Sequence, residues 1–557
     1  MTDFESSPNL TSTLRADFNM KLQKLPYGQG TDFDPERGCL PQTRVKLLDE
    51  IIYWVNNPSS PQVLLLLGQA GTGKSSVAHE IARRLRSLDR LTTSYCFVRG
   101  KPSSRDCYRF FTTCALNLSN KYPAFKDALS NVIDRNPGLV EMQAYTTLFE
   151  YLLRDPLKDI SFVGPVFIVI DALDESEDAS EMQQRDTLSF HDFLATRLGE
   201  LPSNFRILIT SRPEPDLENA FSESPFVRRM SMDESRFTVG LDGDILVYVR
   251  TKLSRVKGVT EDDLEKLAKK AEGNFQWASV ACSHISKPPS GLDSRRCIQR
   301  VLQPTIVSTA TALNPLDELY TAILKRFNMK DRDVRDTFKS VMGQILGAFE
   351  PLSVDALNIF VSSKDINVSA LVDDLGSLLS HVTPTESGLP VFPLHTSFRD
   401  FLIDKSRSGD FYVNLDSAHE ELTLATLQTM QHELKFNICK LETSYLLNSE
   451  VPDLQTRIED NISSALSYSC RFWADHLARV PKFDSNMFKS LQAFIKERFL
   501  FWLEVLSVKG EMMVAKLALM SLRGWLNQVH DKVSVYCSSP TCMFSDENRS
   551  RLKKLMS

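Results

Sequence analysis

The chain's 557 residues exceed what one hydrophobic core usually serves, so roughly three or four domains are expected. Hydrophobic residues make up 42% and charged residues 24%, which excludes fibrous and wholly disordered classes. A formal net charge of −6 excludes a large phosphate-neutralising surface, so nucleic acid is not an expected partner.

Residues 1–36 are polar, with one short amphipathic piece around 14–25, and read as a mostly disordered tail. Over 43–54 the spacing of Val45, Leu47, Leu48, Ile51 and Ile52 is helical. Up to residue 240, helical patterns alternate with apolar runs at 63–67, 95–98, 166–170, 206–210 and 226–232. The first, third and fourth are apolar on both faces, as strands of a buried parallel sheet should be. Residues 37–240 are therefore expected to form a layered α/β domain.

From 241 to 330 helical patterns dominate, broken at Pro288-Pro289-Ser290-Gly291, and this segment reads as a helical lid. Over 331–410 three helices at 331–349, 354–360 and 368–379 precede a hairpin with Glu386-Ser387-Gly388 at its tip and a return strand at 391–394, the order of a winged helix; Ser353 is placed to cap the second helix. The third helix carries Asp373 and Asp374 with no Lys or Arg, which disfavours insertion into a DNA groove. Residues 411–557 read as all-helical, with Trp473, Trp502 and Trp525 as core anchors. Ten singly placed cysteines, no CxxC pair and no secretory signal point to the reducing cytoplasm. No apolar run approaches the roughly 18 residues of a membrane span.

The chemistry is concentrated at Gly68-Gln69-Ala70-Gly71-Thr72-Gly73-Lys74-Ser75, with an apolar strand leading in and a helix leading out. Glycines let the backbone wrap a polyphosphate, its N–H groups pointing inward and the helix N-terminus adding favourable potential. Lys74 is placed for the β- and γ-phosphates and the Ser75 hydroxyl for Mg²⁺. About 90 residues on, Asp171 ends a buried strand, where it can hold Mg²⁺ through water. Asp174 and Glu175 follow, and two readings fit them: a carboxylate that positions or deprotonates the attacking water, with Glu175 preferred, or acids that complement a helix dipole. Arg212, at the end of the fourth strand, either reads the γ-phosphate or makes a structural salt bridge. His79-Glu80 starts like a zinc-hydrolase motif, but Arg83 stands where the second His is needed, so no zinc site is expected.

With these residues in view, the chain resembles the NACHT family of signal-transducing (STAND) P-loop NTPases, particularly fungal members related to the nephrocystin-type N-terminal domain. Cys39-Leu40-Pro41-Gln42-Thr43-Arg44, the phosphate cradle, Asp171-Ala172-Leu173-Asp174-Glu175 and Thr210-Ser211-Arg212-Pro213 carry the likeness. Gly273-Asn274-Phe275-Gln276-Trp277-Ala278 and His395-Thr396-Ser397-Phe398-Arg399-Asp400 extend it. The resemblance implies an α/β P-loop NTPase domain of the ASCE type, with a parallel sheet, followed by a helical lid, a winged helix and an all-α C-terminal region. It implies ATP or ADP with Mg²⁺ as ligands, His395 on the β-phosphate of ADP, and Thr43 and Arg44 on the base or ribose side; a His at a strand–helix junction is also an ordinary capped core residue. Relatives usually carry an N-terminal effector domain and a C-terminal repeat array, and neither is visible in this sequence.

The expected function is a slow Mg²⁺-dependent ATPase switch whose nucleotide exchange controls self-association or a protein partner. The alternative is a non-hydrolysing scaffold with a bound nucleotide. A kinase or GTPase is weaker, since Asn328-Met329-Lys330-Asp331 lies in the wrong domain to read guanine.

Overall fold

Five strands form one parallel sheet: β1 (Val63–Leu67), β2 (Leu91–Cys96), β3 (Val166–Asp171), β4 (Phe205–Ser211) and β5 (Val227–Ser231), in the order β2-β3-β4-β1-β5. The computed structural model describes residues 22, 25–28, 30–98, 106–176, 188–289, 291–303, 314–361, 367–380, 389–443, 445–481 and 485–537. β1, β3 and β4 are buried along their whole length, which is why they are apolar at every position rather than at alternate ones. Alternate side chains feed two cores. Leu64, Leu66, Phe167, Val169 and Leu208 face helices α1 (Val45–Asn56) and α2 (Lys74–Ser87). Val63, Leu65, Ile168, Ile170, Ile207 and Ile209 face α3 (Cys107–Lys121), α4 (Pro123–Arg135) and α5 (Phe190–Arg197). The result is the expected α/β layering.

The strand order puts β4 between the cradle strand β1 and the acid-bearing strand β3. The register of β4 with both neighbours, Leu67 beside Ser211 and Ile170 beside Ile209, brings the ends of all three strands to one edge. This edge carries the loops that bind ligands in open α/β sheets.

Two expectations are corrected. The second strand, read at 95–98, runs over Leu91–Cys96 instead, because pairing with β3 starts at Leu91 and, past an irregularity at Thr92, continues from Thr93. The tail read as disordered to residue 36 is ordered over much of its second half, while residues 1–21 lie outside the described residues. Leu22 and Leu25 are buried in the sheet's core, the Thr31 carbonyl accepts the Cys96 N–H at 2.7 Å, and the Thr113 hydroxyl accepts the Gly28 N–H at 3.0 Å. These contacts cover the outer edge of β2, which would otherwise offer unpaired backbone groups.

Three helices close the first compact unit, residues 1–286: α6 (Leu241–Leu253), α7 (Glu261–Lys270) and α8 (Phe275–Ser286). A capping box, Thr260 with Asp263, starts α7. The boundary at Ser286 and Lys287 falls within the segment 241–330 that was read as one lid, beside the Pro288-Pro289 break.

In the second unit, residues 287–557, α9 (Arg332–Gly347), the short strand β6 (Leu352–Ser353), α10 (Val354–Val361) and α11 (Val368–Asp374) follow one another. The Ser353 hydroxyl accepts the Ala356 N–H at 3.2 Å, the cap its position foretold. The strand β7 (Pro390–Val391) pairs antiparallel with β6, and Ser380 N–H donates to the Phe392 carbonyl at 2.8 Å, so two arms meet as a hairpin would; its tip lies outside the described residues. The third helix ends at Asp374 rather than 379, as Leu375 and Gly376 turn the chain. The remaining helices include α12 (Leu415–Glu433), α13 (Ser464–Ala478), α14 (Phe499–Val508) and α15 (Met512–Cys537). Trp473, Trp502 and Trp525 are buried among them as anchors.

A buried polar chain joins α12 and α13 to the segment that follows α9. Tyr468 Oη accepts the Phe349 N–H at 3.1 Å and so donates its own proton to His476 Nε2 at 2.8 Å. His476 then carries its proton on Nδ1 and gives it to His419 Nδ1 at 2.9 Å. Burial holds His476 well below the usual histidine range, and burial with Arg479 nearby lowers His419 to about 4, so both rings are neutral. Among the described residues no helix is long and apolar enough to cross a membrane, and the described cysteines are free thiols.

Candidate nucleotide site

The cradle leaves β1 and turns into α2 through two left-handed residues, Gly71 at φ 84° and Gly73 at φ 94°, the latter capping the helix. Only glycine reaches these angles without strain, which is why the motif needs it. Val77, Ala78, Ile81, Ala82 and Leu85 then pin α2 to the sheet, fixing where its N-terminus points. Ser75 is exposed in the first turn. The Lys74 ammonium folds back and donates to the carbonyls of Gly68 at 2.6 Å and Gln69 at 3.0 Å. Burial lowers its pKa, with Asp174 and Asp171 opposing that and Arg212 adding to it. One field thus reaches Lys74 from the ends of β3 and β4.

Asp171 is 4% exposed, and the Thr210 hydroxyl donates to its Oδ1 at 2.5 Å. The same Thr210 oxygen accepts the Ala172 N–H at 3.1 Å, holding a residue whose φ of 56° turns the chain sharply after the strand. Asp174 is tied to the end of β4: its Oδ1 accepts the Arg212 N–H at 3.1 Å and its Oδ2 meets Arg212 Nε at 3.1 Å. Arg212 therefore forms the salt bridge that was the second of its two readings, and it does so inside the cradle's electrostatic field. Glu175 sits half-buried in the turn that follows, its N–H donating to the Ala172 carbonyl at 2.9 Å.

Carbonyls of the cradle are also gripped from behind. Arg44, left-handed at φ 55° and 6% exposed, donates from Nη2 to the Thr72 carbonyl at 2.6 Å. Its guanidinium lies 5.3 Å from the Phe275 ring centroid, and its N–H donates to Asp244 Oδ2 at 2.8 Å. The Gln276 N–H donates to the Gly71 carbonyl at 3.2 Å, so the N-terminus of α8 docks on the loop.

Residues 43–212 match the family model for the N-terminal region of nephrocystin 3. Over this stretch the chain is similar to NACHT-like P-loop NTPases. Solved structures that resemble it include a STAND protein with a tetratricopeptide-repeat sensor from Pyrococcus horikoshii, at 15% identity, 90% of this chain, 69% of that one and a TM-score of 0.35. A RuvB variant from Thermotoga maritima matches at 12% identity, 64% of this chain, 92% of that one and a TM-score of 0.23. No curated protein matches the chain.

Within the α/β domain the structure brings together Gly68, Gln69, Ala70, Gly71, Thr72, Gly73, Lys74, Ser75, Asp171, Asp174 and Arg212. Thr43 is turned inward, its hydroxyl donating to the Leu40 carbonyl at 2.7 Å, and Arg44 is engaged on the loop's backbone rather than standing open to a base or ribose. His395 belongs to the other compact unit, where it precedes the helix Thr396–Ile403 without capping it by its side chain.

His79, set aside in the sequence, lies with Cys96 and Asp171, their ligand atoms within 4.8 Å of one another. His79 Nδ1 accepts the Asp34 N–H at 2.9 Å, so the neutral ring carries its proton on Nε2 and has no lone pair left there for a metal. No spacing rule links positions 34, 79, 96 and 171, so this trio was invisible before folding. An open groove of about 910 Å³ lies elsewhere on the domain, and its lining by Asp192, Asp216 and Glu223 is the wrong charge for a polyphosphate.

Proposed function

We propose that the chain is a nucleotide-dependent switch that binds ATP or ADP at residues 68–75 and hydrolyses ATP slowly. The observation that carries this reading is the placement of Lys74 in one field with Asp171, Asp174 and Arg212 across three adjacent strand ends. In this reading the phosphates displace the Gly68 and Gln69 carbonyls as partners of Lys74. The residues fit Mg²⁺: Ser75 offers an exposed hydroxyl, and Asp171 is a buried carboxylate whose position Thr210 fixes. Held by these residues, the metal would neutralise phosphate charge there. Glu175, half-buried in the turn after β3, is the carboxylate assigned to orient the attacking water. A γ-phosphate competes with Asp174 for Arg212, and that competition separates ATP from ADP.

A lock on ADP by His395 and self-association are supported by the resemblance alone, and a cytoplasmic setting by the singly placed cysteines. A protein surface suits α11 better than nucleic acid, since the helix carries Asp373 and Asp374 and no Lys or Arg of its own. Single-turnover assays test the proposal: phosphate release that Glu175→Gln slows while nucleotide binding persists supports the switch, and no release from wild type with Mg-ATP supports the scaffold.

A further inference from the structure

Arg44 occupies a position that neither its sequence motif nor a nucleotide contact explains. Its guanidinium is buried, and its contacts run to two parts of the chain. One is the cradle, through the Thr72 carbonyl at 2.6 Å, two residues before Lys74. The other is the helical segment 241–286, through Asp244 Oδ2 on the Arg44 backbone N–H at 2.8 Å and through the Phe275 ring, whose centroid lies 5.3 Å from the guanidinium carbon. A third contact, Nη1 to the Phe237 carbonyl at 3.5 Å, fixes the plane of the group where the chain leaves the sheet for α6. Nε has no partner among the described residues, so the side chain is held by these contacts and by burial.

The same loop carries a parallel connection. Gln276 N–H binds the Gly71 carbonyl at 3.2 Å, and Asn274, which caps α8 by accepting the Trp277 N–H at 3.0 Å, reaches the Ala70 carbonyl at 3.5 Å with Nδ2. Carbonyl orientation and amide orientation in one peptide plane are a single degree of freedom. Whatever holds the carbonyls of Ala70, Gly71 and Thr72 therefore also sets the directions of the Gly71, Thr72 and Gly73 N–H groups, of which that of Thr72 donates to the Gln69 carbonyl at 3.4 Å.

We infer that Arg44 is a positioning residue that couples phosphate binding in the cradle to docking of the 241–286 helices, by holding the Thr72 peptide and Phe275 with one planar group. The inference rests on the nucleotide-binding reading above. Coupling of this kind is reciprocal: nucleotide that orders the loop tightens the docking of α8, and undocking of α8 weakens nucleotide. Lysine would not substitute, since an ammonium can reach one carbonyl but has no plane to stack on a ring at the same time.

The test uses the full chain, with ADP and Mg²⁺ as the probe, measuring affinity by calorimetry and amide hydrogen exchange across residues 241–286 with and without saturating ADP. In the wild type, ADP slows exchange at 274–279 at least about tenfold. R44M weakens ADP by about tenfold or more and abolishes that protection even when the site is saturated. R44K separates the two effects, with affinity within about threefold of wild type but protection lost, a split that a merely structural arginine would not produce. If R44M fails to fold, F275L, which removes the stacking partner and leaves the cradle intact, reports the same loss of protection. Full ADP-dependent protection in R44K and F275L overturns the inference, whereas a wild type that binds no ADP overturns the nucleotide-binding reading instead.

Discussion

Gly71→Ala tests the shape of the cradle. At φ 84° an alanine is strained by about 1–2 kcal/mol relative to glycine. Its Cβ would collide with Asn274 Oδ1 and lie 2.8 Å from Gln276 Cβ, inside normal contact. Because Asn274 Oδ1 is committed to capping α8, the crowding cannot be relieved without cost, and overpacking of this kind adds about 1–3 kcal/mol. The total of about 2–5 kcal/mol appears as lost stability if the loop keeps its shape, and as lost nucleotide affinity if the loop relaxes until ligand binds. The two measured together, unfolding of the free protein and ADP affinity by calorimetry, should sum to at least about 2 kcal/mol, which is more than tenfold in affinity if all of it falls there. Gly71→Ala with Asn274→Gly removes one collision and spares most of the capping cost, so it should recover about 1 kcal/mol. A single variant whose two losses sum to under about 0.5 kcal/mol, or a double variant that recovers nothing, would refute the reasoning.

Thr210→Val leaves the Asp171 carboxylate and the Ala172 N–H without their shared partner, and thermal unfolding should show a loss of about 1–3 kcal/mol that Thr210→Ser largely restores. Asp174→Asn weakens the hold on Arg212, so the ratio of ATP to ADP affinity should rise; an unchanged ratio would detach Arg212 from γ-phosphate reading. The His419–His476 pair titrates below unfolded histidine, so the unfolded chain binds more protons in the window from about pH 6.5 to 4. Its contribution is present in full above that window and is lost as pH falls through it, by up to about 1.4 kcal/mol per pH unit for each ring. Unfolding of the second unit followed against pH should show that slope, and His419→Gln should flatten it.

Much of the first unit was legible because its signals are local. An unbroken run such as Val63-Leu64-Leu65-Leu66-Leu67 has no amphipathic reading and so names a central strand, and the glycines of the cradle announce their own left-handed turns. Asp171 could be placed because burial of the strand before it dictates which end it occupies. Pairings that depend on register were not legible: Asp174 meets Arg212 only because β3 and β4 are neighbours with their ends aligned. Arg44 lies 28 residues from Thr72 and about 230 from Phe275, and its left-handed backbone, unannounced by any glycine, is what turns the guanidinium inward. The ordered stretch beside β2 was missed for a different reason, since a polar segment held mainly by backbone hydrogen bonds to a strand edge has the composition of a tail.

The central claim is that Lys74 and the loop around it grip a nucleotide's phosphates. Calorimetric titration of wild type and Lys74→Ala with Mg-ATP and Mg-ADP tests it most directly. The account predicts saturable one-to-one binding to the wild type and a loss of at least about a hundredfold in the variant, roughly 2.7 kcal/mol. Equal affinity in the two proteins, or no binding to either, would contradict it.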